Sequence, residues 1–532
     1  MEKQILTPER QPLNNTRPGS NFMLHTTYTL ETSEERRRRK YSLWIMYYTT
    51  LLQSIGGSIV ITGMWPYLQQ LDENVKKEWL GWVVAANPLG QLIFSPIIGW
   101  WCNRIDSVRV PSLFCLILFI VSNCWYGVLP IHGSNAVWFI LAARFLVGIS
   151  SGSITACRTF VTQGTLLAER TQAISYLSLS QALGFVLGPV GQLVLKPLGS
   201  IGIPMIEDKL SLNMYTAVGW LTAALGLTNL ILLHPKLFGE SDIAVREAQM
   251  KAKLAQRNGG SKLNLMNDNN RLKHLRPDYT GLSVIVITFF IVFFNFVLLE
   301  TLGTPVSIDQ FGWSHETAIT NVGLTMIISS VVSTSIFFLI PRLAKKIDER
   351  MLLVGFGIVP MIAGRLFFFP FSGDSPPMRE FGCINRENGT VIQNVTQVEC
   401  LGSGYHWDVL QHGCPASQTW CFEMPALDPI IVAIGYAICT LGFPFCIALT
   451  QTIFSKMIGP RPQGLWMGAL TSISSLSRVI GPIFVTFIYT NYGTIVTSAT
   501  ATGLMILTFL LLVIVYKRLI PLVDPRTTTV KA

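Results

Sequence analysis

Apolar stretches of membrane-spanning length recur along the first half of the chain, near 43–67, 79–101, 111–130, 136–161, 172–195 and 214–233. A second set of six follows near 279–305, 318–340, 351–370, 429–454, 464–488 and 494–516. Each has at least 20 residues, enough for a helix rising about 1.5 Å per residue to cross a hydrocarbon core of roughly 30 Å. The pattern predicts an all-α membrane protein with twelve transmembrane helices in two six-helix bundles. Between the sets lies the polar segment 234–278, whose Asn258-Gly259-Gly260-Ser261 and Asn267-Asp268-Asn269-Asn270 runs are too hydrophilic and irregular to cross anything. The expected organisation is a tail (1–42), a first bundle (43–233), a linker (234–278), a second bundle (279–516) and a closing tail (517–532).

Composition agrees. Of 532 residues, 50% are hydrophobic and only 13% charged, against about 25% charged in soluble domains. The formal charge of +10 in a soluble protein would suggest a nucleic-acid partner, so the placement of the cations matters. Thirty of the 40 Lys and Arg fall in tails and loops on one side, six on the other and four inside helices. That bias puts both termini in the cytosol; the positive charge is a topology signal, and nucleic-acid binding loses its motivation. The first 40 residues lack the apolar run and cleavage site of a secretory signal and end in Glu34-Glu35-Arg36-Arg37-Arg38-Arg39-Lys40. Such a run reads as an anchor for the first helix against anionic headgroups.

Cys383, Cys400, Cys414 and Cys421 fall in the 58-residue loop 371–428, on the non-cytosolic side. An oxidising compartment favours two disulfides there, in any of three pairings. The sequons Asn388-Gly389-Thr390 and Asn394-Val395-Thr396 share the loop. No C-x-x-C pair is present, so neither a metal site nor a cofactor is expected.

The halves resemble each other locally. Val186-Leu187-Gly188-Pro189-Val190 has a counterpart in Val479-Ile480-Gly481-Pro482-Ile483, a Gly-Pro break at equivalent places. After the second apolar stretch the chain reads Gly99-Trp100-Trp101-Cys102-Asn103-Arg104, the fourth reads Arg144-Phe145-Leu146-Val147-Gly148, and the fifth holds Gly184-Phe185-Val186-Leu187-Gly188-Pro189. In this order and in these helices the three resemble G-x-x-x-D-R, R-x-x-x-G and Gly-Pro motifs of the major facilitator superfamily, whose two bundles rock about a central cavity. Asn103 stands where the family's signature has Asp, so an amide takes the place of an ion-pairing group. Longer strings, above all Ser455-Lys456-Met457-Ile458-Gly459-Pro460-Arg461-Pro462-Gln463-Gly464, resemble one endolysosomal branch of the superfamily, the membrane proteins of a neuronal ceroid lipofuscinosis. That resemblance implies an endolysosomal membrane protein moving an anion such as chloride. The family's acidic dileucine is altered here, with Asn14 at its second leucine, whereas Tyr516-Lys517-Arg518-Leu519 fits a tyrosine-based sorting pattern.

Ionisable groups at membrane depth are costly unless paired or wetted, which makes them functional candidates. Arg144 lies about 13 Å into its helix, and Arg365 and Arg478 about 21 Å into theirs. Arg158 lies near a helix end, where snorkelling explains it. Glu300, followed by Thr301, Thr304 and the helix-breaking Pro305, is the one acidic residue well inside a stretch. Three arginines against one glutamate favour an anion path, with Gln181 and Thr304 beside it and Ser178, Thr471, Ser474 and Ser477 as further liners. The chain also reads Gly148-Ile149-Ser150-Ser151-Gly152, formally G-x-S-x-G, but that motif needs a strand-turn-helix elbow and a histidine partner, so no enzyme is expected. The expected partners are a small solute or ion and the bilayer, with a monomer sufficient. A proton-coupled organic-solute carrier, and a scaffold or receptor using loop 371–428, remain the alternatives.

Placing that loop in the lumen makes a direct expectation: glycosidase digestion shifts the wild-type band on a denaturing gel and leaves an Asn388→Gln, Asn394→Gln double variant unmoved.

Overall fold

The computed structural model describes residues 30–257 and 277–522, apart from 62, 73, 74, 76, 77, 200, 201, 207–209, 372, 385–390, 393–405 and 417. Asn388, Asn394 and Cys400 lie outside the described residues.

Helix α1 (Ser33–Ser58) starts inside the arginine run rather than at the apolar stretch, because Thr32 caps it. The Thr32 hydroxyl accepts from the Glu35 N–H at 3.2 Å, and the Glu35 carboxylate accepts from the Thr32 N–H at 2.8 Å, so two otherwise unpaired donors are satisfied together. The run is only partly a headgroup anchor. Arg39 is buried, bonded to Glu31 at 2.7 Å, Glu169 at 3.0 Å and the Gly164 carbonyl at 3.1 Å, which pins the start of α1 to the turn that precedes α5.

The first half continues with α2 (Glu78–Ile105), α3 (Arg109–Gly127), α4 (Ala136–Gln163), α5 (Arg170–Leu195) and α6 (Thr216–Leu232). A hairpin of β1 (Ile203–Ile206) and β2 (Leu210–Leu212) joins the last two. The second half holds α7 (Tyr279–Phe311), α8 (His315–Leu343), α9 and α10 (Pro429–Ile458). Helix α9 runs through Glu349–Met351, a wider π-helical stretch Leu352–Ile358, and Val359–Leu366. The final span, Gly464–Val515, folds back at Gly493 into α11 (464–492) and α12 (494–515). Among the described residues, eight helices are long and apolar enough to cross a membrane, the last of them double length; with α1, α6 and α9 the arrangement is consistent with the expected twelve.

Each half has its own core. Met46, Phe119 and Phe160 centre the first, and Phe289, Phe337 and Phe454 the second. The two-fold repeat is visible in contacts. A Cβ on Gly188 of α5 would lie 2.8 Å from the Ile59 backbone nitrogen at the end of α1, and one on Gly481 of α11 would lie 2.8 Å from Val297 of α7. Equivalent glycines thus let equivalent helix pairs approach.

Two expectations need correction. The linker is not wholly irregular: Ile243–Arg257 is helical, and its Glu247 accepts from the Leu167 N–H at 2.8 Å, so contact with the first half orders it. The Tyr516 to Leu519 pattern is not presented for sorting. Leu519 is 2% exposed, packed in the second core, and the Arg350 guanidinium lies 5.0 Å over the Tyr516 ring.

Within 371–428, β3 (Glu380–Ile384) lies between β4 (Val391–Ile392) and β5 (His406–Gln411), all antiparallel. Of the three disulfide pairings, the structure contains Cys414–Cys421. This short clasp presents Trp420, whose ring lies 5.3 Å from that of Tyr489 and whose indole N–H donates to the Thr490 carbonyl at 3.1 Å. The seat is Gly493, at φ 76°, where a Cβ would come 2.7 Å from both Trp420 and Met424. A left-handed backbone and lack of space coincide there, so Gly493→Val should lower the midpoint of thermal unfolding in detergent by several degrees, read by scanning fluorimetry.

Candidate functional site

The loops rich in Lys and Arg mark one end of the molecule, called here the basic end. There the halves touch through bare backbone. The glycines Gly99 of α2 and Gly464 of α11 each leave no room for a Cβ against the other's carbonyl, and one turn further a Cβ on Gly468 would meet the Ser95 carbonyl at 2.6 Å. Across this seam the Asn103 side-chain carbonyl accepts from the Gly464 N–H at 2.8 Å. Gly464 opens α11, and a first-turn N–H has no partner within its own helix. Asn103 therefore closes the seam as a neutral acceptor on a helix terminus, and no carboxylate is needed. Arg104 is exposed and, among the described residues, has no ion-pair partner.

A second clasp joins α5 to α9 and α10. Lys456 lies 2.6 Å from Glu349 and donates to the Thr171 hydroxyl at 3.2 Å, while Thr171 donates to Glu349. Lys456 belongs to the 455–464 string, which folds on itself: Gln463 donates to the Gly459 carbonyl at 2.7 Å and accepts from Ser455 at 2.9 Å. On the same end, outside the membrane, the hydrogen bond from Arg350 holds the Asp348 carboxyl below its ordinary range.

Deeper along the seam the contacts become side-chain networks. Ser472 donates to the Leu92 carbonyl at 2.7 Å, and Ser475 donates to the Gln91 side-chain oxygen at 2.8 Å. That oxygen also accepts from Arg478, which donates in turn to Ser475 at 3.2 Å. Gln91 is held by its own amide, which donates to the Ser151 carbonyl at 3.1 Å. From the other half, Arg158 donates to the Thr471 hydroxyl at 2.7 Å and to Gln181 at 3.2 Å, with its guanidinium 5.7 Å from the centre of the Phe289 ring. Arg158 is 3% exposed. It is a bridging residue rather than the snorkelling one its position along the helix suggests, because α5 and α11 supply its acceptors inside the protein. Near this pair, Gln451 donates to Ser178 at 3.3 Å.

Glu300 has an exposed side chain and, among the described residues, no ion-pair partner. Thr304, half-buried, is one turn further along α7. Among the described residues, every hydrogen bond joining the two halves lies between the basic end and Arg478. The arginine pair is therefore the deepest of the polar contacts that join the halves from the basic end.

Of the path residues expected from sequence, Gln181 meets the seam through Arg158 and Arg478 meets it through Gln91, while Glu300 makes no ion pair with either arginine among the described residues. Arg144 does not join them: it donates to the Gly56 and Gly57 carbonyls at 3.3 and 2.9 Å, inside the first half. Arg365 donates to the Asn295 carbonyl at 2.5 Å, inside the second. In both cases a neighbouring helix supplies backbone acceptors that depth counting does not reveal. Ser474 and Ser477 bond carbonyls of their own helix, at 2.8 and 2.9 Å. Gly148 allows α4 to approach Asn87 of α2, a Cβ there lying 3.0 Å from the Asn87 Cα. Gln91 was missed, although the argument that singles out Gln181, an amide that cannot satisfy itself against lipid, applies to it equally.

Comparison with known proteins agrees with this architecture. The family model of the Major Facilitator Superfamily matches residues 46–384. Major facilitator superfamily domain-containing protein 8 of Xenopus laevis is 33% identical over 497 residues, covering 93% of this chain and 95% of that protein. Among solved structures, the proton:xylose symporter XylE of E. coli aligns with a TM-score of 0.60 at 13% identity, over 91% of this chain and 96% of its own. The human organic anion transporter MFSD10 (TETRAN) aligns at 0.54 and 15%, over 89% and 99%.

The neutral closure can be tested directly. Asn103→Leu removes an acceptor worth about 1 kcal/mol at a helix terminus, so maleimide labelling of Ser472→Cys from the basic side should rise about five-fold over the background of native cysteines, whereas Asn103→Asp should leave it near the wild-type rate.

Proposed function

Because this chain belongs to the major facilitator superfamily, a family of multi-pass membrane transporters, we propose that it moves a small anion, chloride being the simplest, across an endolysosomal membrane by alternating access, with both termini cytosolic. The observation that carries this reading is the crosswise pair of arginines: Arg158 of the first half bonds Thr471 of the second, and Arg478 of the second bonds Gln91 of the first. An anion arriving between the halves competes with neutral acceptors for these guanidiniums, and a charged acceptor makes roughly twice as strong a hydrogen bond. Capture of the anion by Arg478 loosens its bond to Gln91, and with it one of the contacts that hold the seam shut. The sealed basic end favours a carrier over an open channel.

Glu300 sets the pH response. Ionised, it neutralises part of the field at Arg478 and repels the anion; protonated, it leaves Arg478 free. Flux should therefore rise as luminal pH falls toward protonation of Glu300. The endolysosomal assignment is supported by the 455–464 string and its companions; since Leu519 is buried, Tyr516→Ala should leave co-localisation with a lysosomal marker unchanged.

Purified protein in liposomes, with chloride as the only permeant ion and pH varied, tests the assignment. Glu300→Gln should keep normal abundance and transport at a rate independent of luminal pH. Arg478→Gln should reduce flux at least ten-fold, and Arg478→Lys, which keeps the charge without the planar fork, less. Unchanged flux and pH response in both Glu300→Gln and Arg478→Gln would mean that these charges are structural.

A further inference from the structure

The second half contains a cavity that takes no part in the seam. It measures about 130 Å³ and lies between α7, α8, α9, α10 and α12. Leu298, Leu302 and Val306 of α7, Val322 and Met326 of α8, and Val432 of α10 give it apolar walls, while Trp313 and Leu427 line it from the connecting segments. Glu300 is absent from its lining although Gly303 and Ser307 of the same stripe of α7 are present, and Arg158 and Arg478 are absent as well, so the cavity borders Glu300 without reaching the arginine pair.

One cation lines this apolar space. Arg365 is 5% exposed, lies 5.6 Å from the centre of the Phe368 ring, and spends one Nη on the Asn295 carbonyl. Its Nε has no partner, and no carboxylate pairs with it among the described residues. The Thr494 hydroxyl, also on the cavity wall, is buried and unpaired as well. A guanidinium removed from water without a counter-charge is a costly arrangement, and two unsatisfied polar groups on one cavity are an exception in a folded interior. The missing counter-charge and the missing hydrogen-bond partner are what a bound carboxylate supplies, since its two oxygens match the guanidinium edge. Chloride fills the charge requirement but leaves the walls without contacts.

We propose that this cavity binds a small organic monocarboxylate with an apolar body, of about the size of benzoate. The volume sets the upper limit: an apolar cavity of about 150 Å³ accommodates benzene, so the apolar body is at most a single ring, and the carboxylate must use the space at the polar wall of Arg365 and Thr494. The carboxylate sits on Arg365 and accepts from Thr494, and the ring or short alkyl chain lies among Leu298, Leu302, Val322 and Met326. The site is separate from the arginine pair of the seam and does not depend on what that pair transports.

The test is equilibrium binding of radiolabelled benzoate to the full chain in nanodiscs at fixed chloride. Wild type should bind saturably, with no competition from benzylamine or benzyl alcohol of similar size. Arg365→Gln should weaken binding at least ten-fold, and Val322→Phe, which fills the cavity and leaves the arginine in place, should do the same; Arg478→Gln should change it less than two-fold. Because Arg365→Gln removes a buried bond to Asn295 and can unfold the half, its thermal midpoint is measured alongside, and Val322→Phe decides if it has collapsed. Absence of saturable binding to wild type overturns the proposal. So does binding that survives Val322→Phe, or binding that is lost in Arg478→Gln and kept in Arg365→Gln, which would place benzoate at the arginine pair.

Discussion

A guanidinium buried in a membrane protein must find acceptors, and two of those in this chain find theirs across the divide between its halves. Arg158 reaches Thr471, and Arg478 reaches Gln91. Each arginine has one acceptor in its own half, Gln181 for Arg158 and Ser475 for Arg478, and takes a second from the other half, so apposition of the two bundles contributes to polar satisfaction as well as to packing. The consequence is a joint that is strong when closed and open to exchange, because the acceptors are neutral and a charged solute outbids them. Buried carboxylates in the same places would make a tighter joint and leave nothing for an anion to claim.

Closure at the basic end follows a different logic. Gly99, Gly464 and Gly468 bring two backbones into contact, and dispersion between close-packed helices then depends steeply on separation. Such a contact has little intermediate range. Asn103 adds one directional bond on the free N–H of α11, which fixes the rotation of α11 about its axis as the glycines meet. The Lys456, Glu349 and Thr171 cluster adds a contact to α5, so the end is held through two helices of the first half, α2 and α5.

Hydropathy alone pointed to a helical multi-pass fold consistent with twelve crossings, because membrane-spanning length is a one-dimensional property that a sequence displays openly. The Gly-Pro repeat also carried through, as the matched approaches at Gly188 and Gly481. What the sequence did not display is azimuth. Counting residues along α4 places Arg158 near an end but not facing α5 and α11, and the same count puts Arg144, Arg365 and Arg478 at similar depths although two of them turn into separate half-cores. The helix Ile243–Arg257 was hidden for another reason: its polar, charged surface resembles that of a loop, and contact through Glu247 is what orders it. Gln91 was legible in principle, since an isolated amide in an apolar stretch asks for a partner wherever it faces.

The turn between α11 and α12 is a single residue, Gly493. Both helices end at the same side, where Leu522 donates to the Lys456 carbonyl at 3.0 Å, beside the start of α11. With no slack between them, α11 and α12 form one rigid lever. The α11 limb carries Arg478 and Thr471, the α12 limb carries Thr494, and the Trp420 clasp rides on the hinge end. The seam at one surface and the disulfide-bonded clasp at the other thus rest on the same pair of helices, joined by one glycine, so the two ends of the second half share a single mechanical element.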